Sequence, residues 1–321
     1  MILLLAGGVG GARLVRGFAK LLPPDDMLVV VNTGDDFTHL GLRICPDLDT
    51  VMYTLAGANN VEKGWGLANE TWRFMEALQR FGGEIWFRLG DQDLATHIER
   101  TRRLDAGQSL SEVTAALSRA FGVRQLIAPM TDQVVQTIID TDEERLSFQH
   151  YFVRRQCEPQ VRKIDFVGAE KAKPSFAFAS ALANPLLRAI VICPSNPYLS
   201  IQPILSLPGI RTALANRAVP VVAVSPLIGG RAVKGPAAKI MRELGHVPSA
   251  AEIARFYRGL IDGLVIDGQD SGLRPEIEAV GLHVCTTDTL MKSDDDQRRL
   301  AAVTYEFTMG IAARLHRKVA L

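Results

Sequence analysis

The stretch Ile2-Leu3-Leu4-Leu5-Ala6-Gly7-Gly8-Val9-Gly10-Gly11-Ala12-Arg13-Leu14 decides the fold. An apolar run without a polar break meets a glycine-rich turn. Beyond the turn, Leu14, Val15, Phe18, Ala19 and Leu22 recur at helical spacing until Pro23-Pro24-Asp25-Asp26 interrupts them. Met27–Val31 is a second unbroken apolar run. Strands of a parallel sheet read this way because helices cover both of its faces. Strand, glycine turn, helix and strand make a βαβ unit, whose crossover is right-handed. The opening run lacks the basic flank, length and cleavage site of a secretion signal, so it reads as a strand.

Outward from this unit the pattern repeats. Short apolar runs at 125–129, 189–193, 220–224, 263–267 and 282–285 are expected strands, and 84–89 is another, followed by a loop at 90–95. Helices are expected at 71–80, at 110–121 behind an N-capping Ser109, at 210–216, at 250–260 behind Ser249, and from 295 to about 315; one more starts near Val51. Segments 133–140 and 145–153 alternate as a hairpin does, and 154–175 is charged and irregular. The expectation is one α/β domain over 1–321. It has a doubly wound, mostly parallel Rossmann-like sheet with helices on both faces, and an inserted smaller subdomain or lid at about 130–185.

Composition narrows the function. Of 321 residues, 36 are Lys or Arg and 35 are Asp or Glu, a balance unlike the basic excess of a dedicated nucleic-acid binder. Cys45, Cys157, Cys193 and Cys285 are scattered without a CxxC pair, which points to reduced thiols rather than a zinc site or disulfide scaffold. No apolar stretch approaches the ~20 residues of a membrane span. A cytoplasmic protein acting on small molecules is expected.

Five segments carry candidate chemistry. Glycines Gly8, Gly10 and Gly11 let the backbone approach phosphates, and the helix start behind them offers free N–H groups. Arg13 stands where GxGxxG would need glycine, and no Gly-Lys-Ser/Thr follows, so neither standard nucleotide motif is met. A tight structural turn is the plain alternative. The acidic loop holds Asp35-Asp36 and Asp47-Leu48-Asp49; Asp36, Asp47 and Asp49 are the expected ligands of Mg²⁺ or another divalent cation, a hard ion that prefers oxygen. Asp49 is also the candidate base for an attacking hydroxyl, and solvated acids or helix caps are the alternative. Arg88 and His97 flank a third polar segment, where Arg88 offers a planar fork. The fourth and fifth follow expected strands. They are Pro194-Ser195-Asn196-Pro197 and Ser225-Pro226-Leu227-Ile228-Gly229-Gly230 with Lys234. Ser195, Asn196, Ser225, Gly229, Gly230 and Lys234 suit a nucleotide.

In order along the chain, GGVGGARL, VVVNTGDD, PDLDTVMYTLAG, GWGLANET, RLGDQDLATHI, PSNPYLSIQPILSLPG, SPLIGGRAVKGPAAK and CTTDTLM resemble the CofD family, the 2-phospho-L-lactate transferases of coenzyme F-420 biosynthesis. The likeness runs from residue 1 to about 292. It implies a guanosine diphosphate-linked donor carrying a phosphorylated three-carbon acid, transfer to the ribityl hydroxyl of the deazaflavin Fo, release of GMP, and help from a divalent metal. By motif position it implies that Asp49 and Arg88 bind Fo, that the glycine, PSNP and SPLIGG loops bind guanosine diphosphate, and that the protein is a homodimer.

Two rival readings remain. A nucleotide-sugar-binding regulatory protein of the related gluconeogenesis and cell-shape factor group resembles the same glycine loop, but typically carries a PPGD-like stretch where Pro46-Asp47-Leu48-Asp49-Thr50 stands here. An NAD-dependent oxidoreductase would need an acid after the second strand, where Asn32 stands. Which acid the donor carries stays open, because single methyl or methylene contacts discriminate by only ~1–3 kcal/mol.

Overall fold

Alternate residues of β1 (Ile2–Ala6) enter two different cores. Leu3 and Leu5 join one, while Ile2, Leu4 and Ala6 join the other. The same alternation runs through β2 (Met27–Val31), so both faces of the sheet are covered and every strand position is apolar. The computed structural model describes residues 1–319.

Between β1 and β2 lies α1 (Gly8–Ala19), which begins inside the glycine turn. A hairpin of β3 (Phe37–His39) and β4 (Leu42–Ile44) follows, then α2 (Pro46–Ala56), α3 (Arg73–Arg80), α4 (Asp91–Asp105), α5 (Leu110–Ala120) and β5 (Leu126–Pro129). An antiparallel sheet of β6 (Gln136–Thr141), β7 (Arg145–Ser147) and β8 (Val161–Val167) comes next, in the order β7-β6-β8. Then come α6 (Phe176–Leu182), β9 (Ala189–Ile192), α7 (Gln202–Leu205), α8 (Ile210–Ala215), β10 (Val221–Val224) and a small hairpin of β11 (Leu227–Ile228) and β12 (Arg231–Ala232). Last are α9 (Ala237–Glu243), α10 (Ala250–Phe256), β13 (Gly263–Asp267), α11 (Arg274–Ala279), β14 (His283–Thr287) and α12 (Asp294–Val319).

The main sheet has seven strands in the order β14-β13-β10-β9-β1-β2-β5, all paired parallel. Chain order reverses direction at β1, between β2 on one side and β9 on the other. In doubly wound sheets that reversal opens a crevice at the carboxyl ends of the strands. No described helix is long and apolar enough to cross a membrane.

Three expectations need correction. Residues 84–89 form no strand; Leu89 packs with Phe37, Ile44 and Met75 in a satellite core, with Trp72, Trp86 and Phe87 against it. The apolar signal there is that of a small cluster rather than a sheet. Residues 90–95, expected as a loop, open α4. Its first N–H groups are satisfied from far away, since Gln92 and Asp93 donate to the Glu70 carboxylate at 2.8 and 2.7 Å. The helix expected near Val51 begins at Pro46, with proline in its first turn.

Candidate active site

At the carboxyl edge of the sheet lies a cleft of about 570 Å³. The glycine turn after β1, the acidic loop after β2, the Pro194 turn after β9 and the Ser225 turn after β10 all border it. Phe148, Gln149 and Phe152, from the segment after β7, border it too.

Its floor carries two groups of buried acids. In the first, Gly8 adopts φ +64°, a conformation suited to glycine, and its N–H donates to Asp47 at 2.8 Å. The Asn32 side-chain amide bridges two carboxylates, donating to Asp47 at 3.0 Å and to Asp35 at 3.2 Å. Burial pushes the Asp47 carboxyl up to about 6, against the pull of the Asn32 and Gly8 donors. Asp35 is raised well above the usual range by burial and then by the Asp47 charge. Its Oδ1 is buried without a hydrogen-bond partner.

The second group sits on α2 and α4. Asp93, His97 and Arg100 are spaced i, i+4, i+7 and share one face of α4. Arg100, fully buried, donates to Asp49 Oδ1. Its other terminal nitrogen lies 3.1 Å from His97 Nδ1. A guanidinium only donates, so Nδ1 is the unprotonated nitrogen and the imidazole proton sits on Nε2, 3.4 Å from Asp93 Oδ2. Tyr53 donates to Asp93 at 2.6 Å. Burial works to raise Asp93, but His97 and Tyr53 outweigh it and hold the carboxyl below its ordinary value. Asp49 is raised by burial despite Arg100 and His97. Its Oδ2, 3.8 Å from His97 Nδ1, has no hydrogen-bond partner.

Cations and aromatics form the rim. The Arg88 guanidinium lies over the Trp72 ring at 4.4 Å, and the Lys63 ammonium lies over the same ring at 4.2 Å. Trp86 lies 4.6 Å from the His150 ring, joining the loop before α4 to the segment after β7. Arg13 and Lys234 line the cleft beyond them.

Most expected site residues meet here. Gly8, Gly10, Asp47, Asp49, Arg88, Ser195, Asn196, Ser225 and Lys234 all line the cleft. Gly11 lies beneath it against Ser195, and Gly229 and Gly230 turn the β11–β12 hairpin beside it. Asn196 is partly used locally, because its side chain caps the turn that follows by accepting from Tyr198 and Leu199. Asp36 borders a separate smaller cavity with Thr33 and Arg43. Burial pushes it up to about 7 against the Cys45 thiol and the Arg43 and Arg100 charges, and neither carboxylate oxygen has a hydrogen-bond partner among the described residues. Sequence reasoning missed Asn32, Arg13, Lys63, Trp72, Asp93 and Arg100. The i, i+4, i+7 pattern at 93, 97 and 100 was the available signal, hidden by reading the start of α4 as a loop.

Two sets of these acids offer oxygen to a divalent cation. One ligand atom each from Asp49, Asp93 and His97 lies within 4.8 Å of the others. Arg100 already brings a positive charge to that group and turns the protonated nitrogen of His97 toward Asp93, which opposes a second cation. Asp35 and Asp47 fit better. They are two mutually repelling carboxylates with an unpartnered buried oxygen, and hard cations take such oxygen sets.

A doubly wound sheet with a polar cleft at its switch point defines an α/β protein of the Rossmann-like kind. A solved UPF0052-family protein from Bacillus halodurans has the same fold, with TM-score 0.60 over 94% of this chain and 97% of that one at 14% identity. The chain belongs to the CofD family, described as 2-phospho-L-lactate transferase CofD, whose profile matches residues 2–304. It is 46% identical over 303 residues to a phosphoenolpyruvate transferase of Streptomyces griseus, covering 92% of this chain and 94% of that one. A 2-phospho-L-lactate transferase of Methanosarcina mazei is 37% identical over 305 residues, covering 95% and 99%. The chain is therefore a transferase.

Proposed function

We propose that this enzyme moves a phosphorylated three-carbon acid from a guanosine diphosphate-linked donor to the ribityl hydroxyl of deazaflavin Fo, releasing GMP, in coenzyme F-420 biosynthesis. The observation that carries the reading is one cleft with buried acids on its floor and cations with aromatics on its rim. The hydroxyl attacks the phosphorus of the phospho-acid, an O–P bond forms, and the P–O bond to GMP breaks. Asp49 takes the hydroxyl proton through Oδ2, while Arg100 holds Oδ1. Such a transfer depends chiefly on positioning and charge neutralisation. Arg88 and Trp72 form the wall that receives the deazaflavin ring. Asp35 and Asp47 would hold Mg²⁺ or another divalent cation, which supplies charge neutralisation on the diphosphate.

Ser195, Asn196, Ser225, Gly229 and Gly230 are the loops assigned to the nucleotide. Residues at about 130–185 are read as an inserted lid over the acceptor, and the active species as a cytoplasmic homodimer. Relatives named phosphoenolpyruvate transferase make the phosphoenolpyruvate-derived donor the first to test. Mass spectrometry of the products from Fo with each candidate donor decides among the acids. No adduct with any of them overturns the reading, and calorimetric preference for a UDP-sugar over GDP moves it to the regulatory alternative.

A further inference from the structure

The glycine turn has fewer free donors for phosphate than its sequence promises. Gly8 N–H is held by Asp47, and Gly7 N–H donates to Ser195 at 3.0 Å. Charge on a bound donor must then be met largely by side chains. Four cations line the cleft, Arg13, Lys63, Arg88 and Lys234, and among the described residues none forms an ion pair with a carboxylate.

Two of these cations, Arg13 and Lys234, converge, and Lys63 stands on the loop whose Gly64 backbone meets Lys234. Arg13 is anchored by donating to the Met291 carbonyl at 2.8 Å. Lys234 carries a lowered pKa, first from desolvation and then from the like charge of Arg13; no carboxylate offsets them. Gly64, at φ +79°, lays bare backbone against both loops. A Cβ there would stand 2.5 Å from Lys234 Nζ and 3.7 Å from Val9 Cγ1. The loop bearing Gly64 is pinned at its base by Ala68 N–H to Ala58 carbonyl and by Asn60 N–H to Gly66 carbonyl, at 2.8 and 2.9 Å. Its neighbour Lys63 reaches the ring of Trp72, which Arg88 also covers. The cations thus run from the glycine turn to the acceptor wall. A group passing from donor to acceptor must occupy that interval.

We propose that Arg13, Lys63 and Lys234 form an anion clamp for the transferred end of the donor, its second phosphate and carboxylate, rather than for the leaving nucleotide phosphate. This assignment rests on the transferase reading above. Unpaired like charges held together favour an anion between them, and each charge-assisted hydrogen bond to it is among the stronger polar contacts.

Calorimetry with guanosine, GMP, GDP and inorganic pyrophosphate tests the clamp on the full chain, its Arg13→Gln and Lys234→Gln variants, and Gly64→Ala. The wild type is expected to bind GDP at least ~10-fold more tightly than GMP, and each variant to lose most of that ratio while GMP and guanosine bind as before. Equal weakening of GMP and GDP, or an unchanged ratio, overturns the proposal. Failure of any guanine nucleotide to bind the wild type would sink the guanosine-linked donor of the proposed function instead. Pyrophosphate still judges the clamp in that case: binding that drops in the variants supports it, and no binding or an unchanged constant overturns it. Competition by phosphoenolpyruvate beyond that by inorganic phosphate, lost in Arg13→Gln, assigns the carboxylate to the clamp; equal competition overturns that part. Circular-dichroism melts of each variant confirm that the fold is retained.

Discussion

The backbone N–H of Gly8 donates to the Asp47 carboxylate at 2.8 Å, so the positive end of α1 faces an acid from the first turn of α2. Both helix starts are tied at one point on the cleft floor, and the acid is favoured by each dipole. Asp47→Asn keeps an oxygen acceptor for Gly8 but removes the charge. The variant should fold with a thermal midpoint within a few degrees of wild type. Its turnover should fall at least ~10²-fold and respond weakly to added Mg²⁺. Full activity of the wild type after exhaustive chelation would remove the metal from the reaction.

Asp49 cannot be changed as cheaply as a helix cap. Among the described residues its carboxylate is the one acid paired with buried Arg100, so Asp49→Asn strands a guanidinium away from water. A loss of about 3–5 kcal/mol is expected from denaturant unfolding. The double variant Asp49→Asn with Arg100→Met should recover part of that stability and none of the turnover. Recovery of both would show that Asp49 serves only as a counter-charge.

Arg88 and Lys63 share one aromatic ring. Arg88→Lys keeps charge and loses the planar face, so Fo should bind several-fold more weakly while GDP binding is unchanged. Trp72→Leu should weaken Fo by a similar factor, because it removes the surface that holds the guanidinium. Titration of Fo fluorescence measures both. Parallel loss of GDP affinity would place Arg88 with the phosphates.

Stability should depend on pH through Asp36. Its carboxyl is raised from 3.8 to about 7 by burial, so the folded state holds a proton that the unfolded chain has released. The stabilising contribution is complete below pH 3.8 and is lost as pH rises through about 7. Its size is of order 4 kcal/mol at most. Asp36→Asn should raise the thermal midpoint at pH 8 and change it little at pH 4. An equal change at both pH values would mean that Asp36 is ionised throughout.

The parallel sheet was legible because its strands are short, apolar and followed by turn residues; β13 matches its expected bounds, and β2 was read residue for residue. Ser109 likewise announces α5, where the full capping box forms with Glu112. What escaped depends on partners distant in the chain. The start of α4 is held by Glu70, more than twenty residues earlier, and its N-cap position, Gly90, has no capping side chain to advertise it. Arg100 was not singled out in the sequence; it is buried where α4 packs on β4, donating to the Arg43 carbonyl and to Asp49 at the start of α2. Asn32 was noticed for what it was not, an acid after the second strand. Its amide instead joins two carboxylates that repel each other.

The reversal of winding at β1 also spaces the proposed acceptor and nucleotide groups along the gene. Asp49, Trp72, Arg88, Phe148 and Phe152 all lie between β2 and β9, whereas Ser195, Asn196, Ser225 and Lys234 all follow β9. On this assignment the acceptor wall is encoded as one contiguous stretch, whereas the donor's groups come from both sides of it, because the glycine turn, Arg13 and Asp47 precede β9 too. A chimaera joined just before β9 keeps the acceptor wall and the glycine turn of one parent and takes the two later loops of the other, so its nucleotide affinity reports how the two halves share the donor.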